Sequence, residues 1–386
     1  MKLILFALAL AAFAIGTTEF APMGLLPVIA DGVQVSIPTA GLLISAYAIG
    51  VMVGAPLMTL LLAPWRRKAA LVGLMAIFTV GNLLSAVAPG YDTLLLSRVF
   101  TSLAHGAFFG IGSVVAASLV PADKRAGAVA TMFMGLTIAN IGGVPAATWL
   151  GQTIGWRMAF AATAGLGAVA MLALACWLPR GEKGKKPDVR AELRVLIRPA
   201  VVRALLTTVL GAGAMFTLYT YVAAVLENLI HATPAFVTAM LVMIGIGFTL
   251  GNFLSGKLAD RSLEGTLAGF LLLLAALMLG MPVLLQGHTS AVVLMLLWGT
   301  ATFAVIPPLQ MRVMQAAHEA PGLASSVNIG AFNLGNGLGA AVGGGVLTLG
   351  MGYAWIAPAG GVLALLGLVL VGYGRYAVPT SAAQTA

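Results

Sequence analysis

The sequence predicts an all-α membrane protein of twelve transmembrane helices, arranged as two pseudo-symmetric six-helix bundles. Three observations carry this reading. Charged residues make up 8% of the 386 residues and hydrophobic ones 60%, whereas soluble domains carry about 25% charged residues. Twelve apolar blocks fill the chain, and each is long enough to cross a hydrocarbon core, which takes about 20 apolar residues as a helix. The blocks fall into two sets of six around one charged linker. They are continuous apolar runs rather than the alternating segments of about ten residues that a β-barrel needs.

Span 1 covers residues 3–29. Lys2 and the apolar run to Ala12-Phe13-Ala14 imitate a signal peptide. The run continues to Ala30 and no soluble domain follows, so the segment is expected to stay as a span. Spans 2 to 4 (38–63, 69–88 and 92–119) follow with short connections, which make them antiparallel neighbours. Span 5 (127–150) is rich in glycine and span 6 (157–178) closes the first bundle, residues 1–178. In the linker, 179–199, Val189, Leu193 and Ile197 repeat at helical spacing, with Arg190, Arg194 and Arg198 on another face. A short amphipathic helix on the membrane surface fits that pattern. The second bundle, 200–386, holds spans at 200–228, 234–258, 265–286, 290–313, 322–349 and 354–376. The glycine strings of spans 5 and 11, such as Gly343-Gly344-Gly345, let helices approach closely. They are not phosphate loops, because no strand precedes them and no Walker lysine follows.

A net charge of +9 could suggest nucleic acid, but its placement points to a membrane. With the N-terminus inside, Lys2, Arg66, Arg67, Lys68, Lys124, Arg125, Lys257, Arg261, Arg312, Arg375 and every base from Arg180 to Arg203 fall on one side. The opposite loops hold essentially only Arg157. This is the positive-inside pattern, so both termini are expected in the cytoplasm and the excess base touches anionic lipid. Cys176 is the only cysteine, so no disulfide or thiolate metal site forms within one chain.

The two halves match at one offset. Ile49-Gly50-Val51-Met52-Val53-Gly54 corresponds to Ile246-Gly247-Phe248-Thr249-Leu250-Gly251, and Gly155-Trp156 to Gly352-Tyr353, each 197 positions apart. Parallel six-helix repeats around a midplane site are a transporter design, in which one half rocks against the other.

Several motifs then resemble a known family. Gly256-Lys257-Leu258-Ala259-Asp260-Arg261 resembles the cytoplasmic loop signature of the major facilitator superfamily. Leu96-Ser97-Arg98 resembles its span-4 arginine motif. The stretch from Gly16 to Ala30 resembles span 1 of the arabinose-efflux-like branch of the drug:proton antiporter-1 family, a group of bacterial inner-membrane transporters. Gly135 through Gly151, with Asn140-Ile141-Gly142-Gly143-Val144-Pro145, is similar to that branch's antiporter motif. The likeness covers the whole chain. In the first-half loop, however, Ala63 stands where the offset places Asp260, so the signature acid is missing there.

Glu19 is the leading candidate for chemistry. It lies mid-span, where an ionised carboxylate costs about 2.5–3.5 kcal/mol and reads as functional by default. Proton coupling, substrate binding and a purely structural hydrogen bond are its alternatives. Arg98, Thr101, Ser102, His105, Phe109 and Gly112 share one face of span 4 and should face the bundle interior or a water cavity. The resemblance implies that Arg98 assists proton transfer; holding helices together is the other reading. His105 suits a proton relay or a packing hydrogen bond. Met23, Phe109, Asn140, Thr217, Tyr221 and Asn328 are the substrate-pocket candidates, the methionine and phenylalanine giving a pliable apolar wall. The resemblance assigns Asp260 and Arg261 to a cytoplasmic gate.

These residues point to a proton-coupled exporter of small organic molecules, drug- or sugar-like, across a bacterial inner membrane. Its partners are the substrate, protons and lipid; a monomer without cofactor, metal or nucleic acid is expected. No nucleotide-binding motif is present, which argues against ATP as the direct driver. Uptake by proton symport is the alternative, and a non-transporting receptor a lesser one. An intramembrane enzyme is disfavoured: the four histidines (His105, His231, His288 and His318) are scattered, and none forms a pair at metal-ligand spacing.

Overall fold

The computed structural model describes residues 2–35, 37–180, 183 and 188–376. Twelve membrane-length units are present among them, with ends within a few residues of the expected spans. Spans 1 to 4 are the helices Lys2–Gly32, Ile37–Leu62, Arg67–Ala86 and Tyr91–Ser118. Span 6 is Trp156–Trp177, span 8 Pro234–Arg261, span 9 Leu263–Leu284, span 11 Pro321–Thr348 and span 12 Ile356–Tyr376. Eleven described helical units have both the length and the apolarity to cross a membrane. Span 11 has the length, but its eight glycines and three asparagines hold its apolarity down.

Three spans are interrupted, each with a cause in the sequence or the site. Span 5 runs Arg125–Ile138, widens into a π turn at Ala139–Gly143, and resumes at Val144–Thr153. Pro145 has no N–H for the carbonyl of Ile141, and its ring crowds that group, so the helix opens by a residue. Span 10 breaks at Val305 between His288–Ala304 and Ile306–Ala316, where Pro307 and Pro308 remove two successive donors. Span 7 breaks between Pro199–Tyr219 and Val222–Ile230, at the level where it borders a cavity.

The internal repeat is visible in the packing. A Cβ at Gly50 would meet Ser102, and one at Gly54 would meet Leu103. Shifted by 197 positions, a Cβ at Gly247 would stand 3.1 Å from the Gly299 carbonyl carbon, and one at Gly251 would meet Thr300. Spans 2 and 4 therefore pack as spans 8 and 10 do. Gly155 and Gly352 both precede the last span of their half with positive φ, 128° and 85°, a conformation that favours glycine.

In the linker, residues 181, 182 and 184–187 lie outside the described residues, Lys185 and Lys186 among them, as does the side chain of Arg375. The expected helix forms at Val189–Leu196. Asp188 caps it, accepting from the amides of Arg190 and Ala191, both at 3.1 Å. Val189, Leu193 and Ile197 stay exposed to the surroundings of the protein, where an interfacial helix presents its apolar face. Val195 turns inward, into a cluster with Val201, Ala204 and Val313, and the half-buried Leu196 packs against it.

The halves touch at the end where the basic residues gather. The Asp260 carboxylate accepts from the amides of Ala126 (2.8 Å) and Gly127 (3.1 Å) at the start of span 5. The Asn252 amide donates to the Ala130 carbonyl at 2.7 Å. On the other flank, Thr59 and Ser326 share a hydrogen bond of 2.5 Å. Near the pseudo-symmetry axis, the Gln310 amide donates to Ser113 at 3.4 Å, and those two residues are themselves 197 positions apart.

Candidate functional site

A cavity of about 720 Å³ lies between the halves, on the side away from the basic end. Spans 1, 2, 7 and 11 line it with Glu19, Met23, Tyr47, Phe216, Asn333 and Asn336 among other residues. A narrow extension of about 70 Å³ continues inward among Phe109, Phe133, Phe303 and Phe332, with Glu19 and His105 on its wall. Glu19 borders both spaces, and its side chain is 14% exposed. It is the one charged residue of either lining.

Tight helix contacts place that carboxylate. Span 1 presses on span 5 through glycines: a Cβ at Gly16 would meet Leu136, one at Gly135 the Ala9 carbonyl, and one at Gly143 the Thr17 hydroxyl. Small residues at such crossings let backbones approach within van der Waals range. The π turn of span 5 sits at this crossing.

Behind Glu19 stands a polar cluster. The Nε2 atom of His105 is 3.9 Å from Glu19 Oε2. On the other side of the ring, the Tyr47 hydroxyl lies 3.1 Å from Nδ1. The Arg98 guanidinium covers the Tyr47 ring at 4.3 Å from its centroid, a cation–π contact. Arg98 donates to Thr18, to the carbonyl at 3.0 Å and the hydroxyl at 3.3 Å. Thr18 in turn donates to Asn82 Oδ1 at 2.5 Å. Arg98 is 1% exposed, and its Nε has no hydrogen-bond partner. Spans 1, 2, 3 and 4 thus meet around one buried cation, and that cation makes no ion pair with Glu19 among the described contacts.

Of the six pocket candidates, Met23 lines the large cavity and Phe109 its extension, and Asn140, Thr217, Tyr221 and Asn328 line neither. Asn140 donates back to the Leu136 carbonyl at 3.0 Å and Thr217 to the Gly213 carbonyl at 2.7 Å. Short polar side chains in apolar helices satisfy themselves on the preceding turn. Tyr221 lies within the break in span 7, and its hydroxyl donates to the Ala340 carbonyl at 2.9 Å. Asn328 is fully buried toward the basic end, donating to Gln310 Oε1 at 2.7 Å, while Gln310 also donates to Ser325. At the basic end, Asp260 makes the contact with span 5, and Arg261 is exposed.

The sequence reading did not single out Tyr47, Phe216 or Gln310, and among the asparagines of span 11 it preferred Asn328 to Asn333 and Asn336, which line the cavity. For Phe216 a signal existed: it stands 197 positions after Glu19 and faces it across the cavity. Tyr47 and Gln310 are polar groups within apolar spans, Gln310 toward the basic end of span 10, and in lipid such groups must find partners.

Two helical bundles related by pseudo-symmetry, with a titratable cluster on the wall of the cavity between them, define a membrane transporter rather than an enzyme. The family model described as Major Facilitator Superfamily matches residues 8–344. The chain is 68% identical to the inner membrane transport protein YdhP of Escherichia coli (strain K12), over 95% of this chain and 94% of that one. It is 31% identical to a probable sugar efflux transporter of Helicobacter pylori (strain J99), covering 94% and 93% of the two chains. The fold matches the crystal structure of the E. coli fucose:proton symporter FucP with a TM-score of 0.78 at 15% identity, over 96% of this chain and 98% of that one. The chain belongs to the major facilitator superfamily, and it is a multi-pass inner-membrane transporter.

Proposed function

We propose that this transporter is a proton-coupled exporter of small organic molecules, drug- or sugar-like, working by alternating access. The observation that carries the reading is Glu19, the single charged group on the cavity wall, backed by His105, Tyr47 and Arg98. A carboxylate so placed can hold either a proton or a substrate, which is the requirement for exchanging one against the other. Each proton entering down 100 mV releases about 2.3 kcal/mol, enough to drive useful export. The name of the Helicobacter relative favours efflux. In this reading the basic end is cytoplasmic, both termini lie there, and the conformation described is open to the outside. The rocking units are residues 1–178 and 200–386, tethered by 179–199, in a monomer. Met23 and Phe109 contact the substrate, and Asp260 holds the inner gate shut.

The test is accumulation of labelled antibiotics, dyes and sugars in cells expressing the wild type or Glu19→Gln, with and without a protonophore. Lower accumulation in the wild type alone, abolished by the protonophore, is the expected result. Full proton-driven export by Glu19→Gln removes Glu19 from the coupling role. Raised accumulation in the wild type assigns uptake instead.

A further inference from the structure

Tyr47 belongs to neither the sequence motifs nor the gate, yet it is the group that joins the three parts of the site. It borders the large cavity, its hydroxyl reaches His105 Nδ1 at 3.1 Å, and its ring lies under the Arg98 guanidinium at 4.3 Å. Its side of the imidazole is opposite to the side facing Glu19, whose Oε2 is 3.9 Å from Nε2.

From this geometry we infer that Tyr47 is a positioning residue, which fixes His105 in the tautomer carrying its proton on Nε2 and so aims an N–H donor at Glu19. The inference rests on the proton-coupling reading of Glu19. A neutral imidazole has one N–H and one bare nitrogen, and the partner of one nitrogen sets the state of the other. A carboxylate accepts only, so Nε2 must donate for the pair to attract. Nδ1 is then the acceptor, and the phenolic hydroxyl is the donor that satisfies it. Without that hydroxyl, no other donor to Nδ1 is present among the described contacts; the Phe109 ring packed against the imidazole, centroids 5.3 Å apart, offers none. The Tyr47 ring lies against Arg98 and borders the cavity, while Arg98 is on neither cavity wall, so the cation steadies the cluster without meeting the substrate. When a proton arrives on Glu19, the charge is lost and the attraction between the N–H and the carboxyl oxygen weakens. Tyr47 keeps the imidazole in place for the next cycle.

The experiment is solid-state NMR of the full-length protein, labelled with ¹⁵N-histidine and held in lipid bilayers. The four histidines give few signals, and His105→Asn assigns the one of interest. The expected wild-type result is His105 protonated on Nε2 and bare on Nδ1. Tyr47→Phe retains the ring over Arg98 and removes only the hydroxyl. It is expected to raise the Nδ1-protonated population about tenfold, the effect of losing one hydrogen bond of ordinary strength. Proton-driven efflux of a dye exported by the wild type is expected to fall in maximal rate at unchanged KM, while dye exchange without net proton flow persists. A wild-type His105 protonated on Nδ1, or an unchanged tautomer in Tyr47→Phe, overturns the assignment. The wild-type spectrum needs no variant to fold. Failure of the coupling reading shows separately, as intact proton-driven efflux in Glu19→Gln.

Discussion

Removing the Asp260 carboxylate should open the basic end. Asp260 receives two backbone amides of span 5, at 2.8 and 3.1 Å, from the opposite half of the molecule. Amide bonds to a charged acceptor are worth about 1.5–3 kcal/mol when buried. Asp260 is only partly buried, so solvent screening reduces each to about 1 kcal/mol. The amides belong to the first turn of Arg125–Ile138, where the helix dipole adds roughly 0.5 kcal/mol for an anion. Replacing Asp260 with Ala therefore shifts the closed-to-open ratio by about 2.5 kcal/mol, roughly 70-fold. Asp260→Asn keeps one acceptor and should fall between. Cys176 is the sole cysteine, so Cys176→Ser supports site-specific spin labels at Lys124→Cys and Ser262→Cys, exposed positions near the two partners. Pulsed electron resonance should show a longer-distance population growing in Asp260→Ala. An unchanged distance distribution in folded protein would refute the latch and leave closure to the Thr59, Ser326 and Gln310 contacts.

Other outcomes follow from the same geometry. Arg98→Lys retains the charge but cannot reproduce the fork on Thr18; one lost charged hydrogen bond predicts a drop of about tenfold in transport rate, and wild-type flux from equal amounts of folded protein would make the guanidinium dispensable. Gly110→Ala inserts a methyl against Ser326 of the other half, 2.8 Å from its Cα, so overpacking of about 1–3 kcal/mol arises only while the basic end is closed; the same spin labels should report opening, and a simple loss of thermal stability without opening would contradict it. At the linker, Arg198 holds Glu319 below the usual carboxylate range through hydrogen bonds of 2.7 and 3.1 Å. A lowered folded value means the pair contributes at neutral pH and is lost as pH falls through that value; amide exchange in Val189–Leu196 should quicken there and in high salt, and a pH-independent rate would mean that the pair does not seat the linker.

The membrane spans were legible because lipid imposes a crude rule. Every backbone group must be satisfied within its own helix, so length and apolarity alone locate each span. Breaks were harder to see. Pro307 and Pro308 stand in plain view in span 10, but an apolar block reads through them. Glu19, Arg98 and His105 were legible for the opposite reason: charge in an apolar run is costly, so its presence demands a partner. Uncharged polar residues carry no such flag. Asn328 and Asn336 look alike in the sequence, yet Asn328 is sealed against Gln310 while Asn336 faces the cavity. The difference lies in how far along span 11 each one sits relative to the level where the halves part, a tertiary fact.

The offset of the repeat also shows how unevenly the two halves are equipped. Shifted by 197 positions, Glu19 becomes Phe216, Tyr47 becomes Ile244, Arg98 becomes Met295 and His105 becomes Thr302. The backbone design is duplicated, but the ionisable cluster is present once. A second acid at the mirrored position would face the first across the cavity, and like charges at such range disfavour each other's ionisation. It would also lack support, since no arginine, tyrosine or histidine stands behind Phe216 at the mirrored places. Moving the acid across the axis tests whether exposure to the cavity or the supporting cluster makes Glu19 competent. The variant combining Glu19→Gln with Phe216→Glu keeps one carboxylate on the cavity wall. It should reach the membrane folded and fail to restore protonophore-sensitive export. Restored export would mean that a carboxylate anywhere on that wall suffices, and that His105, Tyr47 and Arg98 serve only to hold spans 1, 2 and 4 together.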